Sequence, residues 1–269
     1  MAITGIDGLI GGAQPMQHFV KITAGTSVVG RHKSLWRVDG IPVLGGYDTT
    51  LNGVALTAPV VGSFPFTNPA SGFTYLTRFA AAVNGSTTGS LYLCDRLWHN
   101  GGITITSTSA QSITSPTWPA RDNNGTTNGD GVLLAVEVSS QTGAGTPTIT
   151  VGYTSSDGTA GRSATNQVAT AATSTIYSMY TIGLQGNDNG VRSVQSIQLS
   201  ATWTSGTINL VAYRIIAQLD IGATTYPYEL DALSIGLPRI YDDSVMYLAL
   251  LPNTTTALTA SGVLQWAQG

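Results

Sequence analysis

A thiol and an imidazole lie five residues apart in this chain, at Cys94 and His99. A cysteine nucleophile needs a base that generates the thiolate and a third group that orients the base. The other histidines, His18 and His32, are distant in sequence, and nothing in the pattern supplies an orienter. Core packing is the simpler role for Cys94, since a free cysteine behaves as a small hydrophobe. The stretch Gly25 to Gly30 has the glycine spacing of a phosphate loop, but Arg31 and His32 stand where Lys and Ser/Thr are required. Glu137 sits in the apolar run 132–138 and Glu229 beside a turn, so the two glutamates form no evident glycosidase pair. The doublet Asp242-Asp243 suits solvent or an arginine partner. Neither G-x-S-x-G nor H-E-x-x-H occurs. The expectation is a protein that is not an enzyme, with no catalytic residues and no cofactor.

One loop has the composition of a metal site. Residues 122–130 read DNNGTTNGD, with oxygen-bearing side chains at Asp122, Asn124, Asn128 and Asp130. Calcium takes such ligands from flexible turns. Leu133 stands where an EF-hand would place its bidentate glutamate, and Asn, Asp and Gly are also ordinary turn formers. These four residues are the calcium candidates.

The elements that must position such groups are strands. Charged residues make up 9% of the 269 residues, against about 25% in an ordinary soluble domain. Ser and Thr number 62 and Gly 32, whereas Lys and Glu occur twice each, which leaves few surface helix formers. Residues 73–83, 90–98, 132–138, 147–153, 176–184, 191–202, 207–220, 245–251 and 263–266 predict strands. The alternation Ile103-Thr-Ile-Thr predicts another. Turn segments lie at 84–89, 155–158, 186–190 and 204–206. Residues 228–235 are the one short helix candidate. Strands at this spacing predict an antiparallel, all-β domain of β-sandwich or jelly-roll type over residues 71–269, as one unit or as two packed subdomains.

Residues 1–70 are punctuated by Gly and Pro and predict an extended arm with short strands. Fixing backbone costs about 1–2 kcal/mol per residue, and the arm has few long apolar stretches to offset it. Its anchors Phe19, Leu35, Trp36, Val43 and Leu44, with Arg31 and Arg37, are therefore the expected interface residues. Low surface charge also favours self-association, so a homo-oligomer is expected. The net charge of −3 is unclustered and argues against direct nucleic-acid binding. The five tryptophans (36, 98, 118, 203 and 266) are scattered and form no visible sugar platform. The start lacks the pattern of a secretory signal, and no apolar run reaches 18 residues, so no membrane partner is expected.

Four segments carry a family resemblance: residues 30–46 (GRHKSLWRVDGIPVLGG), 91–103 (LYLCDRLWHNGGI), 118–132 (WPARDNNGTTNGDGV) and 236–252 (GLPRIYDDSVMYLALLP), with the ending QWAQG at 265–269. Together they resemble virion structural proteins of tailed bacteriophages. The resemblance implies a capsid decoration or cement subunit, assembled in the host bacterial cytoplasm and bound to other virion proteins such as the major capsid protein. It carries over no catalytic residues. The alternatives are a tail or fibre component with a receptor-binding role, and a β-sandwich carbohydrate-active protein.

Overall fold

The computed structural model describes residues 3–23, 26–84, 88–223 and 226–269. Gly25 of the phosphate-loop-like spacing and residues 85–87 of the expected 84–89 turn lie outside the described residues. The helix α1 (Ile6–Gly11) precedes four short strands: β1 (Gln17–Ile22), β2 (His32–Ser34), β3 (Gly40–Ile41) and β4 (Val54–Ala55). Next come β5 (Thr74–Asn84), β6 (Gly89–His99), β7 (Gln111–Ser112), β8 (Leu133–Ser140), β9 (Ile149–Ser155) and β10 (Arg162–Asn166). The chain continues through β11 (Ser178–Gly183), β12 (Val191–Leu199) and β13 (Thr207–Ile221). It ends with β14 (Tyr228–Leu230), β15 (Arg239–Ile240), β16 (Met246–Pro252) and β17 (Thr259–Gln268). The protein is all-β, and every strand pairing among the described residues is antiparallel.

One sheet closes on itself. The pairings run β2–β16–β6–β13–β8–β11 and return from β11 to β2, which makes a six-stranded barrel. Closure removes the sheet edges that would otherwise expose unpaired backbone. From β11 the sheet also continues outward through β10, β9, β12 and β7. This extension packs Val151, Tyr153, Ile197 and Leu199 against Leu134, Val136 and Leu210 on the outside of the barrel. A second sheet, ordered β14-β5-β17-β1-β3 with β15 also on β5, covers another part of the barrel. There Phe79, Val83 and Leu264 meet Leu91, Leu93 and Leu248. The face-to-face packing of a sandwich is thus present, and one of its layers is a closed ring.

Covering the barrel from outside explains why β13 is buried on both faces along most of its fifteen residues. Two local expectations fail. Residues 103–106 form no strand: Ile103 and Ile105 are buried, but the Gln111 side chain satisfies both backbone groups of Thr104. Residues 228–235 form no helix, because Tyr228–Leu230 pairs with β5 and Asp231 then caps a turn through the amides of Leu233 and Ser234. Among the described residues the helix is instead α1, inside the segment expected to be an arm.

That segment also requires correction. It lies on its own domain: β1 pairs along β17, β2 completes the ring, and β4 pairs with β6. The apolar burial lacking within residues 1–70 comes from the chain's own barrel.

Candidate functional site

Inward-facing positions on β6, β8, β13 and β16 place Cys94, Ala135, Val211 and Tyr247 inside the ring. Toward one end the interior becomes ionic. Arg96 and Glu137, both fully buried, make a two-pronged ion pair: Nη1 donates to Oε1 at 3.0 Å and Nη2 to Oε2 at 2.7 Å. The Tyr47 hydroxyl donates to Glu137 Oε2 at 2.8 Å, and Arg96 Nε donates to His99 Nδ1 at 3.0 Å. The guanidinium lies 4.8 Å from the Trp36 ring centroid and 5.3 Å from those of Tyr47 and Tyr247. Such rings attract a desolvated cation.

The sequence brings Trp36 here through two backbone contacts. Leu35 N–H donates to the Leu248 carbonyl, and Gly45 N–H donates back to the Trp36 carbonyl. The indole N–H reaches the Gly46 carbonyl at 2.7 Å. A β-carbon at Gly45 would run into the indole, so glycine at this position lets Trp36 seat.

Protonation follows from burial. Burial lowers His99 to about 2, helped by the neighbouring Arg96 charge, so the imidazole is a neutral acceptor. Burial, and then the charges of Asp95 and Glu137, push the Cys94 thiol well above its ordinary value. Burial also works against the Arg96 charge, but the Glu137 carboxylate more than offsets it and leaves the pKa raised. The arrangement cross-links the barrel wall. Its charged groups are held by one another, while the buried Tyr247 hydroxyl makes no hydrogen bond among the described residues.

A second buried node lies on the other face of β6. The Asp95 carboxylate accepts from Val245 N–H, Ser244 Oγ and Arg121 Nε, with Arg214 Nη2 at 3.7 Å. Arg214 and Arg239 both lie over the Tyr241 ring, 5.0 and 4.6 Å from its centroid. Trp36, Asp95, Arg96, Arg121, Arg239 and Tyr247 thus bring the four segments quoted above together around one wall.

Asp122, the first of the calcium candidates, is otherwise employed. Asp122 accepts from the amides of Asn124, Thr126, Gly129 and Asp130 and from the Thr126 hydroxyl. Burial alone would raise its pKa, but these hydrogen bonds hold it below the ordinary value. Asn124 Nδ2 donates to Asp130 Oδ2, and Asn128 donates its amide to Thr126. A carboxylate saturated by N–H donors organises a turn and has no lone pairs left for a cation. Among the described residues no cluster of three or more His, Cys, Asp or Glu groups could hold a metal.

The interface candidates divide. Phe19, Leu35 and Trp36 are buried within the chain's own cores and offer nothing to a neighbour. Arg31 lies over Tyr180 at 4.8 Å and Arg37 over Tyr47 at 5.5 Å, both within the chain. Val43 and Leu44 are exposed, and so are Ile22, Ile41 and Val61. Pairing of β1 with β3 sets Ile41 opposite Val20, beside Ile22, and Gly62 packs against Gly45. Ile22, Ile41, Val43 and Leu44 thus lie on or next to the β1–β3 edge of the second sheet, and the Gly62–Gly45 approach brings Val61 to the same region, an apolar strip in outline. Sequence reasoning missed Tyr47, Arg96 and the role of Glu137. The signal was there: Arg96 and Glu137 each interrupt an apolar strand, and a charge so placed needs a partner.

No family model matches this chain, and no curated protein matches it. Solved structures similar to it include T=1 particles derived from infectious bursal virus, at 8% identity and a TM-score of 0.20, covering 96% of this chain and 79% of that one. The VP2 subviral particle of infectious bursal disease virus is similar at 9% identity and a TM-score of 0.18, covering 98% and 82%. Likeness of that degree carries no argument about function.

Proposed function

We propose that this chain is a non-enzymatic structural subunit of a virus particle, a decoration or cement protein of a bacteriophage capsid. In this reading it binds further copies of itself and the major capsid protein through the apolar strip of Ile22, Ile41, Val43, Leu44 and Val61. The strip is the observation that carries the reading. Five aliphatic side chains in neighbouring positions, each more than a third exposed, cost free energy in water and gain it when covered. The strip borders β3, the last strand on its sheet path. A surface with few charges does little to keep such a partner away. The locked ion pairs inside the barrel suit a part that holds its shape under load.

The test is the paired substitution Ile41→Lys and Val43→Asp. Both sites are exposed, so the fold should melt as the parent does. Sedimentation and binding to particles lacking the protein should both weaken at least about tenfold. Unchanged association in both measurements would reject the strip as the contact surface.

A further inference from the structure

The end of the barrel away from the Arg96–Glu137 pair opens into a cavity of about 520 Å³. Its walls are His32, Tyr92, Leu133, Thr181, Tyr213 and Ile215. Barrel mouths are a recurrent place for small-molecule sites, and this volume is within their range. Leu133, Tyr213 and Ile215 offer apolar surface, and Tyr92 offers a half-buried ring whose neighbour is the His32 imidazole at 5.6 Å.

Two polar groups here make no side-chain hydrogen bond among the described residues. The Tyr213 residue is 4% exposed and lines the cavity, and its hydroxyl is not one of the buried atoms cut off from solvent. A ligand hydroxyl can take the place of the water such a group meets. His32 likewise has only its ring contact with Tyr92. Burial holds its pKa below the ordinary value, so the imidazole is neutral at pH 7.

The charge of the walls narrows the ligand further. Among the described residues no Lys or Arg lines the cavity. Its one carboxylate, Asp188, is already held by Arg162 Nη2 at 3.0 Å and by the Tyr153 hydroxyl at 2.6 Å. An ionic ligand would lose its hydration without gaining a counter-charge. A purely apolar ligand would leave Tyr213 and His32 unpaired. What fits both is a neutral ring with apolar faces and hydroxyl edges.

We propose that the barrel mouth, built around Tyr92, Tyr213 and His32, is a binding site for a neutral saccharide unit. The sugar's C–H face stacks on Tyr92, and its hydroxyls pair with Tyr213, His32 and Thr181. This inference goes beyond the assembly reading and does not depend on it.

An array of immobilised neutral and acidic oligosaccharides, probed with the full chain, tests it. Retention on neutral glycans is expected. Calorimetric titration with the best-retained neutral oligosaccharide should then show Tyr92→Ala weakening binding about tenfold through loss of the stacking face. Tyr213→Phe, which keeps the ring and removes no internal hydrogen bond, should weaken it about fivefold. Retention of no glycan, retention of acidic glycans only, or undiminished affinity in both variants would overturn the proposal. Any of these results leaves the strip variants at Ile41 and Val43 as a separate test of assembly.

Discussion

The two ends of the barrel solve the problem of a polar interior in opposite ways. At one end Arg96 and Glu137 bring full charges inside and give every one a partner, with Trp36, Tyr47 and Tyr247 closing over them. At the other, His32, Tyr92 and Tyr213 bring only neutral groups and set them around an open cavity. The first end is a clamp. The second has room and hydrogen-bonding capacity to spare. A buried ion pair is not a strong source of stability in itself, but removing half of it is severe because the other half stays behind as a bare charge.

The largest effect should therefore come from Glu137→Ala, which leaves the Arg96 charge buried with only His99 and the rings. A loss of about 4 to 5 kcal/mol is expected in urea-induced unfolding. A loss under 1 kcal/mol would show that the clamp readily admits water. Trp36→Ala should follow at about 3 to 4 kcal/mol, since it empties a large buried volume and uncovers the Arg96 guanidinium. Its cost also tests whether residues 30–46 belong to the core or lie loosely upon it.

Acid should act on both ends, since burial holds His32 and His99 alike below the ordinary imidazole value, and the effect is larger at His99. The folded pKa of His99 is about 2 and its unfolded value about 6.5, so the unfolded chain binds the extra proton between them. The contribution of His99 is complete above pH 6.5 and is lost progressively as the pH falls toward 2. Unfolding free energy measured from pH 7 to pH 4 should decline, and His99→Gln should flatten the decline. Lys21 and Lys33 act in a different window, because burial lowers both to about 8 from 10.5. The unfolded chain keeps their protons longer, so these two lysines make stability rise between pH 8 and 10.5.

Smaller effects belong to the mouth and the surface. Tyr92→Ala should cost within about 1 kcal/mol, because the ring is half-buried at the open end. Smallest of all should be Arg78→Ala. Its ion pair with Glu229 has a 2.8 Å contact, but the side chains are 36% and 45% exposed, and such pairs contribute about 0.5 kcal/mol. A thermal melt that ranked Arg78→Ala beside Glu137→Ala would undo the distinction between paired charges inside the ring and outside it.

The sequence alone determined the secondary structure of most of the chain. Alternation and apolar runs bounded by Gly, Asn and Asp place β5, β6, β8, β9, β11, β12, β13, β16 and β17 near their observed positions, because side-chain period and turn chemistry are local properties. The strand β10 was not legible, since RSATN has too little apolar content to stand out. Nor was the loop at Ile103 and Ile105, where alternation marks two buried anchors held by Gln111. Tertiary structure alone decided that β2, three residues long, would close a ring, and that Trp36 would enter it. It also decided that Arg96 would meet Glu137, 41 residues away, and that Asp122 would spend its oxygens on its own loop. Those outcomes depend on which surfaces remain uncovered once the long strands have paired, and on where a buried charge can find its counter-charge. Neither quantity exists until the chain has folded back on itself.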